Sequence, residues 1–232
     1  MSDSGAAGAG PRQFGEGPLG RASALIYNLL VVELFFLLTA VPGLLPLLLL
    51  ERHPSNLPLF AAGALPVGPA LSAAVYALHR RSRDMTDLQP ATAFWRGYRL
   101  NALPVLRLWL PWLAFLTIIG INLGYFGAAD VPGWWAALLV AVALAATLWM
   151  ANALVITSLF TFRTIDVAKL AQYFLGRTPS VTVGNGCVLI VAVGITVVTF
   201  EVVVLLLAAL LVLAMLRIAQ PMITQVREDF VA

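Results

Sequence analysis

Long apolar segments dominate this chain, and short polar or charged segments separate them. A helix needs about 20 apolar residues to cross the hydrocarbon core of a bilayer, which is about 30 Å thick. Four segments fit one crossing each. A fifth, 181–216, would form a helix of about 54 Å, which is too long for a single crossing. The first four predicted spans are 24–48, 57–78, 102–126 and 134–160.

These apolar segments are continuous and do not alternate with polar positions, as the strands of a closed barrel would. Hydrocarbon admits only helices or closed barrels, because the backbone must satisfy its own hydrogen bonds there. The chain is 61% hydrophobic and 11% charged, with a mean hydropathy of +0.93, whereas soluble domains carry about 25% charged residues. The sequence therefore predicts an all-α, polytopic transmembrane helical bundle.

The number of spans depends on how the last apolar segment is divided. Its only charged residue is Glu201, so a turn at 199–201 would place that carboxylate at an interface and give six spans. No Gly or Pro marks such a turn, and five spans remain open. With six spans and both termini cytoplasmic, every basic residue except Arg52 lies on the inner side, as the positive-inside rule requires. Five spans would move Arg217 and Arg227 outside.

The remaining segments are assigned by composition. Residues 1–20 are rich in Gly and Ala and are predicted to be a disordered tail, 21–220 the transmembrane domain, and 221–232 a cytoplasmic C-terminal tail. The apolar segment after Arg21 is too long for a signal peptide, so the first span is expected to be retained. Phe94, Trp95 and Tyr98 follow Pro90 at helical spacing and predict a short interfacial helix with its aromatic side chains toward lipid.

Glu33 is the most informative polar residue, since a carboxylate inside a span is costly and usually faces a partner within the bundle. Arg107, in the third predicted span, is at a compatible depth. A pair that only fixes helix register is the simpler interpretation, and a proton or substrate site is the functional one. Amides inside the first, third and fourth predicted spans contribute interhelical hydrogen bonds or line a polar cavity with Glu33. They are Asn28, Asn122 and Asn152.

A cluster of basic and aromatic residues lies between the second and third spans. It is a candidate surface for a cytoplasmic partner, with anionic lipid headgroups as the competing ligand. Its members are Arg80, Arg81, Arg83, Trp95, Arg96 and Arg99.

Several function classes find no support in the sequence. The basic residues form no groove-sized patch of the kind that binds nucleic acid. The single Cys187 and two His form no metal motif, and phosphate-loop, G-x-S-x-G and H-E-x-x-H signatures are missing. No cofactor or metal is therefore predicted. Gly120 and Gly124 form a GxxxG pair, expected to serve packing within the chain. Pro66 and Pro69 predict a kink or a discontinuous helix.

Three segments resemble the YesL-like family of bacterial membrane proteins of unknown function. They are Tyr27-Asn28-Leu29-Leu30 through Pro42-Gly43, Pro66-Val-Gly-Pro69-Ala70 through Leu78, and Phe94-Trp95-Arg96-Gly97-Tyr98-Arg99-Leu100-Asn101. The chain departs from the family pattern by a longer segment between Pro42 and Pro66. The family has no established catalytic residues. Its members are often encoded beside carbohydrate-uptake transporters and glycoside-degrading enzymes.

The resemblance implies a non-enzymatic accessory protein in a bacterial plasma membrane, associated with the permease subunits of a carbohydrate ABC transporter. Basic residues that are all Arg except Lys169 agree with a high-GC bacterial source. The alternative is a small transporter whose polar route passes Glu33 and the intramembrane amides. An intramembrane enzyme would need paired catalytic groups at one depth, and only Glu33 with Arg107 could supply them.

Overall fold

The protein is an all-α bundle in a computed structural model that describes residues 18–51, 53–83, 89–128, 131–198 and 201–230. These residues form ten α-helices, two short 3₁₀ turns and no strand. The predicted fold class is confirmed. The helices are α1 (Pro18–Leu49), α2 (Leu57–Gly63), α3 (Val67–Arg83), α4 (Pro90–Gly124), α5 (Trp134–Leu159), α6 (Thr164–Arg177), α7 (Pro179–Val198), α8 (Glu201–Leu206), α9 (Ala208–Ile218) and α10 (Gln220–Phe230).

Four helices in the described ranges are long and apolar enough to cross a membrane by themselves: α1, α4, α5 and α7. Two bent pairs raise the number to six if each pair is one span. The first joins 54–63 to α3 at an angle of 43°, and the second joins α9 to α10 at 54°. The described residues therefore contain four to six candidate spans, a range that includes both predicted numbers, and the protein is a multi-pass membrane protein.

The break between α2 and α3 is fixed by packing. Trp109 of α4 donates its indole N–H to the carbonyl of Ala64, at the C-terminus of α2, over 3.0 Å. Gly43 of α1 lies against Gly63, and a Cβ on either glycine would clash with the other backbone. The kink predicted near Pro66 is therefore the point at which α1 and α4 both contact the junction of α2 and α3. In contrast, α1 continues through Pro42 and Pro46 to Leu49.

Small residues allow α3 and α4 to pack closely. A Cβ at Gly68 would lie 2.6 Å from the Trp109 ring, and one at Gly97 would lie 2.8 Å from the Tyr76 side chain. Along α3, four alanines at helical spacing are almost completely buried. The core continues from this pair into α1, α5, α6, α9 and α10. The alanines are Ala70, Ala73, Ala74 and Ala77.

The prediction of a separate interfacial helix after Pro90 was wrong. Residues 90–124 form a single helix, because backbone hydrogen bonding continues across the polar segment into the apolar one. Phe94 is fully buried, and its ring centroid lies 5.9 Å from that of Phe35 on α1. The aromatic residues therefore divide between the core and the surface, where Trp95 remains 45% exposed.

The segment 163–180, which lies between the fourth predicted span and the long apolar segment, contains the amphipathic helix α6. Val167, Ala171 and Phe174 recur at helical spacing on its buried face. Trp149 of α5 donates its indole N–H to the carbonyl of Ala168 over 3.1 Å, which ties α6 to α5.

The long apolar segment divides into α7 on one side and α8 with α9 on the other. Residues 199 and 200 of the predicted turn lie outside the described residues, but Gly184 of α7 packs against Ile218 at the far end of α9. Two helices in contact at the ends remote from their connection run antiparallel. The segment therefore folds back on itself as predicted.

The ends of the chain differ in part from expectation. Of the predicted tail 1–20, residues 1–17 lie outside the described residues, and 18–20 belong to α1. The segment 221–230 lies in α10, with Met222, Ile223 and Val226 buried. The intramolecular packing predicted for the GxxxG pair is confirmed: Gly120 lies against Leu57 and Gly124 against Pro54.

Candidate functional site

Glu33 caps a helix within the membrane-spanning region. It lies near the middle of the candidate span Ala22–Gly43, and its Oε2 accepts a hydrogen bond of 2.6 Å from the backbone N–H of Ala209. The N–H groups of a first helical turn have no intrahelical partner. Leu207, which precedes α9, has no side-chain oxygen with which to cap it. The carboxylate of α1 therefore satisfies the N-terminus of α9, where a negative charge is also favoured by the helix dipole.

The predicted pair between Glu33 and Arg107 was wrong. Arg107 is exposed on α4, and in the described structure it forms no ion pair with Glu33. The second carboxylate oxygen of Glu33, Oε1, is buried and accepts no hydrogen bond from a described residue. The partner of Glu33 is therefore the backbone N–H of Ala209 in the first turn of α9, and not the arginine that the sequence suggested.

Asn28 and Asn122 each bond within their own helix. Asn28 is buried and donates to the carbonyl of Ala24 over 2.7 Å, and Asn122 is exposed and donates to that of Ile118 over 2.7 Å. Neither amide has a hydrogen bond to Glu33 in the described structure. The structure therefore does not gather these residues into one polar cluster.

Asn152 has a partner that was not predicted. Its Oδ1 accepts a hydrogen bond of 3.3 Å from Nδ2 of Asn185, which joins α5 to α7. Both side chains are at least 95% buried, and the remaining amide atoms, Nδ2 of Asn152 and Oδ1 of Asn185, have no partner among the described residues. The signal for Asn185 was present in the Gly184-Asn185-Gly186 motif, because an amide between two glycines in an apolar helix can approach another helix.

A second interhelical polar contact was also missed. Ser72 of α3 and Ser158 of α5 are fully buried, and their hydroxyl oxygens lie 2.8 Å apart. Asn101 of α4 donates to the carbonyl of Ser158 over 3.2 Å. Three helices therefore meet at one hydrogen-bonded point. Hydroxyls of this kind have no distinctive spacing, so the sequence alone does not identify them.

Part of the predicted basic and aromatic cluster forms a groove between α1 and α4. Its volume is about 510 Å³. The Arg99 guanidinium carbon lies 6.0 Å from the centroid of the Trp95 ring, within the range of a cation–π contact. The groove thus combines apolar walls with two exposed cations. We call it the α1–α4 groove; it is lined by Phe35, Ala91, Thr92, Trp95, Arg96, Arg99 and Leu100.

The other members of that cluster lie on α3. Arg80 is exposed and does not line the α1–α4 groove. The side chains of Arg81 and Arg83 lie outside the described part of the structure. The structure therefore brings together Trp95, Arg96 and Arg99 from the predicted set.

No group of three or more His, Cys, Asp or Glu side chains that could hold a metal ion occurs among the described residues. No protein-family model, curated protein or solved structure matches this chain. The class of protein that the fold defines is a polytopic α-helical membrane protein.

Proposed function

We propose that this protein is a non-enzymatic accessory subunit of the YesL-like type, which binds the permease subunits of a carbohydrate ABC transporter within the membrane. The resemblance of its N-terminal half to that family supports the carbohydrate context. The exposed apolar face of α7, formed by Ile190, Val193 and Val197, is the observation that carries the proposal of a helical partner.

Among the candidate spans in the described residues, α7 is the least covered by the rest of the chain. Only 11% of its apolar part is buried, compared with 22% for α1 and α4 and 33% for α5. Ile190, Val193 and Val197 lie at helical spacing along its outer face and are 54 to 79% exposed. Such a face packs against lipid or against another transmembrane helix.

Gly186 favours another transmembrane helix, and not lipid, as the partner of this face. Gly184, two residues earlier, lies on nearly the opposite side of α7 and is explained by its contact with Ile218. At Gly186, a Cβ would meet no side chain and no other helix of the described structure within 4 Å. Glycine costs about 1 kcal/mol relative to alanine in a helix. In membranes, it allows a second backbone to approach closely. A partner helix against Gly186 would use that property.

The intramembrane polar groups support a structural role better than a transport route. Glu33 bonds to the N-terminus of α9, Asn28 to its own helix, and Asn152 to Asn185. Polar residues that form a pathway would be expected to contact one another. The contact of Glu33 caps a second helix, that of Asn152 connects two helices, and that of Asn28 stays within one helix.

Extraction of the tagged protein from its native membrane in a mild detergent tests the proposal. We expect the permease subunits of a carbohydrate ABC transporter to co-purify, and Gly186→Leu to remove most of them by blocking the close approach. Val140→Leu, which enlarges an exposed side chain on α5, is the matched control and should retain them. A protein that purifies alone, or equal recovery with both variants, would contradict the proposed interface.

One observation favours the transporter alternative. Glu33 Oε1 is buried and has no partner among the described residues beside the junction of α8 and α9, and discontinuous helices frame the substrate sites of many transporters. This function requires that Glu33→Gln abolish substrate flux in reconstituted vesicles while insertion is unchanged. Unchanged flux would remove Glu33 from any transport mechanism.

A further inference from the structure

The α1–α4 groove has two chemically different parts. Phe35 and Leu100 supply apolar surface, and Leu100 is 58% exposed. Arg96 and Arg99 supply two positive charges on one face of α4, because residues three apart on a helix are neighbours. A ligand that fits both parts must have an apolar body and an anionic head.

The two arginines are available to such a ligand. Both are exposed, and neither forms an ion pair with a described residue. Among the described residues, the cation–π contact of Arg99 with the Trp95 ring is the one interaction of either guanidinium. A guanidinium presents a planar fork of donors that matches phosphate oxygens, and two forks within one helical turn can hold one phosphate together.

The groove is placed where a lipid could enter it laterally. Phe35 belongs to a candidate membrane span, and Arg99 precedes the apolar part of α4, which begins at Ala102, by less than one helical turn. Arginine and tryptophan are both favoured at the boundary between hydrocarbon and headgroups. A volume of about 510 Å³ accommodates a headgroup with the upper part of its acyl chains.

From this geometry, we propose that the α1–α4 groove is a specific binding site for one anionic phospholipid of the surrounding bilayer. Arg96 and Arg99 bind its phosphate, and Phe35 and Leu100 contact its acyl chains. Trp95 positions the Arg99 guanidinium through the cation–π contact. The site does not depend on the transporter association proposed above.

Native mass spectrometry of the full chain in detergent, titrated with phosphatidylglycerol or phosphatidylcholine, tests this site. We expect one tightly retained phosphatidylglycerol. Each arginine is expected to contribute about fivefold to the affinity, so Arg96→Gln with Arg99→Gln should raise the Kd about 25-fold. The matched control is Arg107→Gln with Arg163→Gln, which removes the same charge from two exposed positions outside the groove and should change the Kd less than twofold.

A second variant guards against misfolding of the first. Leu100→Trp fills the groove but keeps both arginines, and it should weaken phosphatidylglycerol binding without changing the thermal melting of the protein. A third arm adds inorganic phosphate, which should not displace the lipid because it lacks the apolar part.

Three results would overturn the proposal. The first is equal retention of both lipids. The second is an equal loss of affinity in the groove variant and its charge-matched control. The third is displacement of the lipid by inorganic phosphate at the same concentration, which would identify a soluble anion as the ligand.

Discussion

Replacement of Glu33 by leucine removes the acceptor that caps α9. The N–H of Ala209 would then remain buried without a partner, at a cost of about 1 to 3 kcal/mol. Loss of a helix cap measured in other proteins costs about 0.5 to 2 kcal/mol. These figures describe the same interaction, so we expect Glu33→Leu to destabilise the fold by about 2 kcal/mol. The greater lipid solubility of leucine contributes little, because the unfolded chain also remains in the membrane.

Glu33→Gln separates the acceptor from the charge. Its amide oxygen can still accept the Ala209 N–H, so only the favourable interaction of the charge with the helix N-terminus is lost, about 0.3 to 1 kcal/mol. Stability would be measured as reversible unfolding of the detergent-solubilised protein. Asn122→Leu is the control, since Asn122 is exposed and its one hydrogen bond to the described residues lies within its own helix, and it should change stability by less than about 0.5 kcal/mol. Glu33→Leu with wild-type stability would refute the cap.

Three further predictions concern packing and interhelical polar contacts. Asn152→Leu should destabilise the protein by about 0.6 to 2 kcal/mol in the same unfolding assay. The double variant with Asn185→Leu should lose less stability than the sum of the two single changes. Additive losses would show that the two amides do not interact. Gly68→Ala should lower the stability of the fold by about 1 to 3 kcal/mol, because its Cβ would lie 2.6 Å from the Trp109 ring. The control is Gly133→Ala, whose Cβ meets nothing within 4 Å and which should be neutral. Equal melting temperatures of the two variants would contradict the close packing of α3 and α4. Trp109→Phe removes the hydrogen bond to Ala64 and should increase hydrogen exchange at the junction of α2 and α3, with unchanged exchange there counting against its role.

The sequence predicted the positions of the main helices because hydropathy reports directly on the length of apolar segments. It did not predict where polar helices continue. A separate interfacial helix was predicted before the span that begins at residue 102, but α4 runs through both segments, since a helix needs no apolar side chains once it leaves the hydrocarbon. The periodicity of Val167, Ala171 and Phe174 predicts α6, and it was overlooked in favour of the charged residues around it.

The candidate site was predicted less completely, for a different reason. Glu33 stood out as a costly charge, but its partner is a backbone N–H at Ala209, and no side chain marks such a group in a sequence. Asn152 was identified without Asn185, because the pairing of α5 with α7 is a property of tertiary packing. Trp95, Arg96 and Arg99 were recognised together, whereas Phe35 of the same groove comes from a helix distant in sequence.

The most direct test of the six-span arrangement is the membrane sidedness of single cysteines. In a Cys187→Ala background, cysteines replace Ser55, Gly133, Lys169 and Asp229 one at a time, and an impermeant maleimide is added to oriented vesicles. Six crossings predict that 55 and 133 are labelled from one side, and 169 and 229 from the other. Labelling of 55 from the side that labels 169, or of 133 from the side that labels 229, would contradict this arrangement of the helices.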